Sequence, residues 1–195
     1  MSAAIGTNET ESVERAAPVS VRGALIARWP YAVVAALLVT VDQITKKMID
    51  GSMDVYETRS LIDGVLALTY VRNSGMAFGM LQGADLKYQS IGLTVFSMLA
   101  LAAIVTYSMQ LPATQRLPQT ALALITGGAL GNLIDRASLG YVIDFVDVYW
   151  RTHHWPMFNA ADSAISVGVT LLILDIIRSP GGVGAPEMDA AKGAD

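Results

Sequence analysis

Two aspartates stand where paired carboxylates can act on one bond. Asp144 lies in Tyr141-Val142-Ile143-Asp144-Phe145-Val146-Asp147, and Asp162 lies in Phe158-Asn159-Ala160-Ala161-Asp162-Ser163-Ala164-Ile165. Apolar neighbours predict partial burial of Asp144 and a raised pKa. The plain alternative is an interfacial aspartate facing water, the reading given to Asp147. Asp162 also has a plain alternative: Asn159 as N-cap and Asp162 at the third helical position would satisfy free N–H groups and the helix dipole. Capping and catalysis are compatible. The two aspartates flank one loop, so both belong at the same face. Two carboxylates at short range do not both ionise easily; one keeps its proton while the other stays a base. Such a pair activates water and protonates a leaving amine, which is peptide hydrolysis without a covalent intermediate.

Other polar residues sit in apolar surroundings that demand a reason for them. Asp42 is followed one helical turn later by Lys46, the spacing of an ion pair, either structural or part of a site. In Gly127-Gly128-Ala129-Leu130-Gly131-Asn132-Leu133-Ile134-Asp135-Arg136, Gly127 and Gly131 make a small face that admits a neighbouring helix. Asn132, Asp135 and Arg136 share one face of the same helix, as site groups or as an anchor for its end. Competing chemistries find little support. Cysteine is absent, which removes thiolate nucleophiles and Cys-bearing zinc sites. His153 and His154 are adjacent and point to different sides of most backbones, no HExxH is present, and no metal or other cofactor is expected. No serine lies in a GxSxG elbow.

The elements that must hold these residues are membrane spans. Of 195 residues, 53% are hydrophobic and 15% charged, with mean hydropathy +0.46. The apolar residues cluster in four runs, about 29–48, 88–109, 119–137 and 158–177, each close to the ~20 residues that cross a hydrocarbon core. The runs do not alternate, which excludes a β-barrel. The expected fold is therefore all-α, with four transmembrane helices and a small β-containing segment between the first and second spans. There, residues 65–71 read as a strand after the turn signal Asp63-Gly64. That strand offers an edge on which an extended peptide could pair. Residues 76–80, Met76-Ala77-Phe78-Gly79-Met80, form an apolar patch suited to a membrane surface. Residues 110–118 read as a tight loop bounded by prolines. Trp29, Tyr31, Trp150 and Trp155 suit membrane interfaces. Residues 1–28 and 179–195 read as disordered tails around a 29–178 four-span membrane domain. Four spans put both termini on one side, but Lys and Arg are shared evenly between the two sides and do not orient the chain. A net charge of −4 without a basic cluster excludes a nucleic-acid partner.

Five motifs together resemble the bacterial lipoprotein signal peptidase (signal peptidase II) family from about residue 29 to about 177. They are Val41-Asp42-Gln43-Ile44-Thr45-Lys46, Arg72-Asn73-Ser74-Gly75-Met76-Ala77-Phe78, Gly131-Asn132-Leu133-Ile134-Asp135-Arg136, Val142-Ile143-Asp144-Phe145 and Phe158-Asn159-Ala160-Ala161-Asp162-Ser163. The resemblance implies an aspartyl endopeptidase that cleaves prolipoproteins just before a cysteine carrying diacylglycerol. It places the enzyme in the bacterial inner membrane, with cytoplasmic termini and a site at the outer, periplasmic face. It implies Asp144 and Asp162 as catalytic residues and Asp42, Lys46, Asn73, Asn132, Arg136 and Asn159 around them. It also implies lipid-modified prolipoproteins and membrane lipid as partners, with the cyclic peptide globomycin as inhibitor. Met76 departs from the family's usual smaller residue.

The competing reading is a small non-enzymatic transporter or lipid-binding subunit that uses the same acids. Against it stand the few spans, the lack of an internal repeat, and acids gathered at one face. Proteases of the GxGD type are disfavoured because neither aspartate follows Gly-x-Gly.

Overall fold

Among the described residues of the computed structural model, 26–75 and 86–178, each apolar run becomes a helix. Helix α1 (Trp29–Ser52) carries Pro30 in its first turn, where a missing N–H costs nothing. Helix α2 (Leu86–Gln110) stops just before Leu111-Pro112. Helix α3 (Arg116–Leu139) ends on Gly140, whose φ of +82° and N–H donated to Arg136 O at 3.1 Å form a left-handed cap. Helix α4 (Ala160–Arg178) closes the bundle. The loop expected over residues 110–118 is shorter than the prolines suggest. Helix α3 already begins at Arg116, and Pro118 lies in its first turn, where free N–H groups are not needed. The expectations for residues 1–25, 76–80 and 179–195 lie outside the described residues.

Three helical segments among the described residues are long and apolar enough to cross a membrane: residues 91–110, 116–139 and 160–178. Their outward faces suit lipid: Phe96 is 70% exposed and Leu99 66%. Helix α1 is as long but carries Asp42, Lys46 and Lys47 in its second half.

The strand expected at residues 65–71 is β2 (Leu66–Asn73), entered through the expected turn. Gly64 has φ +80°, and Val65 donates its N–H to Ile62 O at 3.0 Å. Two features differ from expectation. The β structure is not confined to the segment between α1 and α2, because β3 (Val142–Trp150) and β4 (His153–His154) come from the connection between α3 and α4. With β1 (Thr58–Ile62) they form an antiparallel sheet in the order β1-β2-β3-β4. Strand β2 is consequently no edge; β1 and β3 fill its two sides. The physical reason is the burial of β3, whose first five residues include only one that is not apolar. A run buried on both faces shows no alternation to betray a strand.

Small residues let the helices meet at backbone distance around α3. A Cβ on Gly127 would lie 2.9 Å from Ala35 O of α1, and one on Gly128 would overlap Ala161 O of α4. This is close packing through small side chains, the main route to helix association where lipid replaces water. The sheet is fastened beneath α1 by Ile49 and Met53, which pack against Tyr70, Ile143 and Phe145. Gly128→Ala should therefore lower the thermal unfolding midpoint in detergent by several degrees, since overpacking costs about 1–3 kcal/mol. Gly92→Ala, where the new Cβ meets no neighbour within 4 Å, should leave it nearly unchanged. Equal midpoints for both variants would contradict the contact between α3 and α4.

Candidate active site

The two aspartates arrive from different kinds of element. Asp144 lies on β3 opposite Val71 of β2. Asp162 lies in the first turn of α4. The chain between them returns beside β3 where Phe158 pairs with Val146, and Asn159 then opens α4 between the two acids. The Asn159 side chain accepts from Asp162 N at 2.9 Å, while Asn159 N donates to Asp162 Oδ2 at 3.3 Å, a reciprocal cap. Asn159 Nδ2 donates to Asp144 Oδ1 at 2.8 Å, with Asn132 Oδ1 at 3.1 Å and Ile143 O at 3.2 Å. Capping Asp162 and binding Asp144 thus fall to one buried side chain.

Every oxygen of the pair faces an amide donor. Asp144 Oδ2 accepts from Asn73 Nδ2 at 2.9 Å, at the end of β2. Asp162 Oδ1 accepts from Asn132 Nδ2 at 2.7 Å, from α3. Amides hold carboxylates without neutralising them, so the pair keeps its acid–base capacity.

Behind Asn132 lies a buried ion cluster. Lys46 Nζ contacts Asp42 Oδ2 at 2.8 Å and Asp135 Oδ2 at 2.9 Å, and donates to Asn132 Oδ1 at 2.9 Å. The expected one-turn ion pair is present, and Lys46 is only 2% exposed. Asp42 Oδ1 also accepts Ala161 N at 3.0 Å, so a carboxylate of α1 caps α4. Gly131 is required beside it, because any Cβ there would overlap Asp42 Oδ2. Asp135 Oδ2 further accepts Ile143 N at 3.1 Å, tying α3 to the residue before Asp144. Arg136 is half-buried one turn beyond Asn132, and its nearest bond is a long 3.5 Å contact to Asn132 O. Its charge acts on Asp162, Asp144 and Asp135 through space.

All nine residues singled out from the sequence therefore gather at one end of the bundle. Burial, with Asp162 as a like charge nearby, pushes the Asp144 carboxyl up to about 6, against the pull of the Asn73 and Asn159 amides and of Lys46. Four carboxylates here face two cations, which favours retention of a proton within the pair. Gln43 was not visible as a site residue. Its amide donates to Asp135 Oδ1 at 2.9 Å, Gly131 O at 3.2 Å and Asp42 Oδ2 at 3.3 Å, and its signals were a place within the first motif and next to Asp42. Asp147 does not face water. It is 3% exposed, accepting from Thr69 Oγ1 at 3.2 Å and contacting His154 Nδ1 at 2.8 Å. The missed strand explains this, since β3 turns Asp147 onto the inner side of the sheet beside Thr69. Among the described residues no three His, Asp or Glu side chains converge as a metal site.

The signal peptidase (SPase) II family matches residues 34–178. The chain belongs to that family. A lipoprotein signal peptidase of Geobacter sulfurreducens is 53% identical over 147 residues, covering 75% of this chain and 90% of that protein. One of Geobacter metallireducens is 47% identical over 148 residues, covering 76% and 90%. The fold is similar to a bacterial membrane enzyme solved by the in meso method at 2.3 Å resolution, with TM-score 0.69 and 30% identity over 82% of this chain and 94% of that one. The resemblance read from the five motifs therefore holds, and this signal peptidase II relative is a membrane protein of a peptidase family.

Asn73 holds Asp144 from the end of β2. In Asn73→Ala the Asp144 carboxylate loses a donor that favours its charged form, so its titration midpoint should move above the parent's value of about 6. Carboxyl ¹³C NMR of labelled protein in micelles reads this directly. An unchanged or lower midpoint would contradict the Asn73–Asp144 bond.

Proposed function

We propose that this chain is an aspartyl endopeptidase that removes signal peptides from diacylglyceryl-modified prolipoproteins, cutting before the lipidated cysteine. The observation that carries the reading is the pairing of Asp144 and Asp162 through Asn159, with an amide donor on every carboxylate oxygen. The names of the relatives supply the substrate. The ionised member of the pair takes a proton from water as the water oxygen attacks the scissile carbonyl carbon. The protonated member first donates to the carbonyl oxygen; as the C–N bond breaks, the leaving nitrogen takes up a proton from the pair. The products are a carboxylate and an amine, and no metal is needed.

The four-span reading completes the placement. Helix α1 has 24 residues and spans about 36 Å, enough for the ~30 Å core. Its Asp42 and Lys46 turn inward as a buried pair, so lipid does not meet them. Lys47 is close enough to the helix end to reach the interface. The acids collect in the second half of α1, the last turns of α3 and the start of α4, toward one side of the membrane. The lipidated cysteine of an exported precursor emerges on the outer face of the inner membrane. The site therefore faces outward, and both termini lie in the cytoplasm. Globomycin, as the family resemblance implies, would compete at this face.

Asp144→Asn and Asp162→Asn should each lower cleavage of a diacylglyceryl prolipoprotein by at least about 10²–10⁴-fold without unfolding the protein. A chelator should leave the parent rate unchanged. Near-parental cleavage by either variant, or zinc-restored activity after chelation, would overturn the aspartyl reading.

A further inference from the structure

Beside Asp162 lies an open cavity of about 410 Å³. Trp155 and Phe158 are part of its apolar wall, and Asp162, Ser163 and Ser166 line the helix side. It therefore runs from Asp162 along the first turns of α4, toward the apolar body of that helix.

The two serines on this wall keep hydrogen-bond acceptor capacity. Ser163 Oγ donates to Asn159 O at 2.9 Å, and Ser166 Oγ donates to Asp162 O at 2.9 Å. With each hydroxyl proton held by a backbone carbonyl, as is common for serine in helices, each oxygen on the cavity wall retains lone pairs that can accept a bond. A hydrocarbon chain has nothing to donate to them. An unwound peptide does: amide N–H groups that leave a helix lose their carbonyl partners and, near the bilayer, find little water to replace them.

We propose that this cavity is the subsite for the last residues of the signal peptide before the scissile bond, held unwound with their N–H groups donating to Ser163 and Ser166. The assignment rests on the peptidase reading above. Direction supports it as well, since the signal helix lies in the hydrocarbon and the cavity leads there from Asp162. Trp155 and Phe158 flank that segment, and the lipid on the cysteine is left to the other side of the dyad.

The test pairs the full-length enzyme in detergent with two synthetic diacylglyceryl substrates. One is all-amide; the other has an ester in place of the amide whose N–H should reach Ser166. Ser166→Ala should lower kcat/KM on the amide substrate by about threefold to tenfold, mostly through KM, and Ser166→Thr, which keeps the oxygen, should restore it. The ester substrate should show the same loss with the parent enzyme and no further loss with Ser166→Ala, the signature of a shared bond. If the parent cleaves but the two losses add, or Ser166→Ala is neutral, the subsite is refuted while the dyad stands. A Ser166→Ala defect that follows acyl-chain length and ignores the ester would make the cavity a lipid site and overturn the proposal. A parent enzyme that cleaves neither substrate removes the peptidase reading and this subsite together.

Discussion

The ammonium of Lys46 has three hydrogens, and the fold gives each an oxygen: Asp42 from its own helix, and Asp135 and Asn132 from α3. A lysine this deeply buried is tolerable only when every donor is met, because an unpaired charge in a low-dielectric interior costs several kcal/mol. That requirement fixes more than one ion pair. Asn132 Oδ1 must face Lys46, so its Nδ2 can only face Asp162. Asp42 is left with Oδ1 free to cap α4, and Asp135 with capacity to hold Ile143 N next to Asp144. One cation therefore sets the orientation of groups reaching both aspartates.

The second constraint is the meeting of a sheet and a helix at Asn159. Asp144 is placed by strand register, which fixes side-chain facing to within one residue. Asp162 is placed by a helix start, whose phase is set by its cap. Neither device alone relates the two acids. Asn159 does so, as the cap of one and the donor to the other, and the backbone contact between α3 and α4 through Gly128 holds the arrangement together.

Much of this was legible from residue types. Acids, asparagines and an arginine do not stay in apolar runs without partners, so Asp42, Lys46, Asn132, Asp135 and Arg136 announced themselves by cost. Glycine spacing foretold the helix contact, and Asp63-Gly64 the hairpin turn. What stayed hidden depended on tertiary pairing. Strand β3 is buried and so lacks alternation, which concealed the central position of β2 and the inward turn of Asp147. Gln43 is neutral and adjacent to a louder residue; only the folded neighbour Asp135 shows why an amide belongs there.

We propose that Asp144 and Asp162 share one proton in the active enzyme. The most direct measurement is kcat/KM for a diacylglyceryl prolipoprotein from about pH 4 to about pH 9 in detergent. A bell-shaped profile is expected. Activity rises as the pair loses its first proton and falls as it loses the second, with the falling limb at about 6 or above, because Asp144 is buried and each charge opposes the other. Both apparent values belong to the pair. A rate that stays flat across this range, or one that keeps rising with pH to a plateau, would mean that no retained proton is needed and would contradict the dyad.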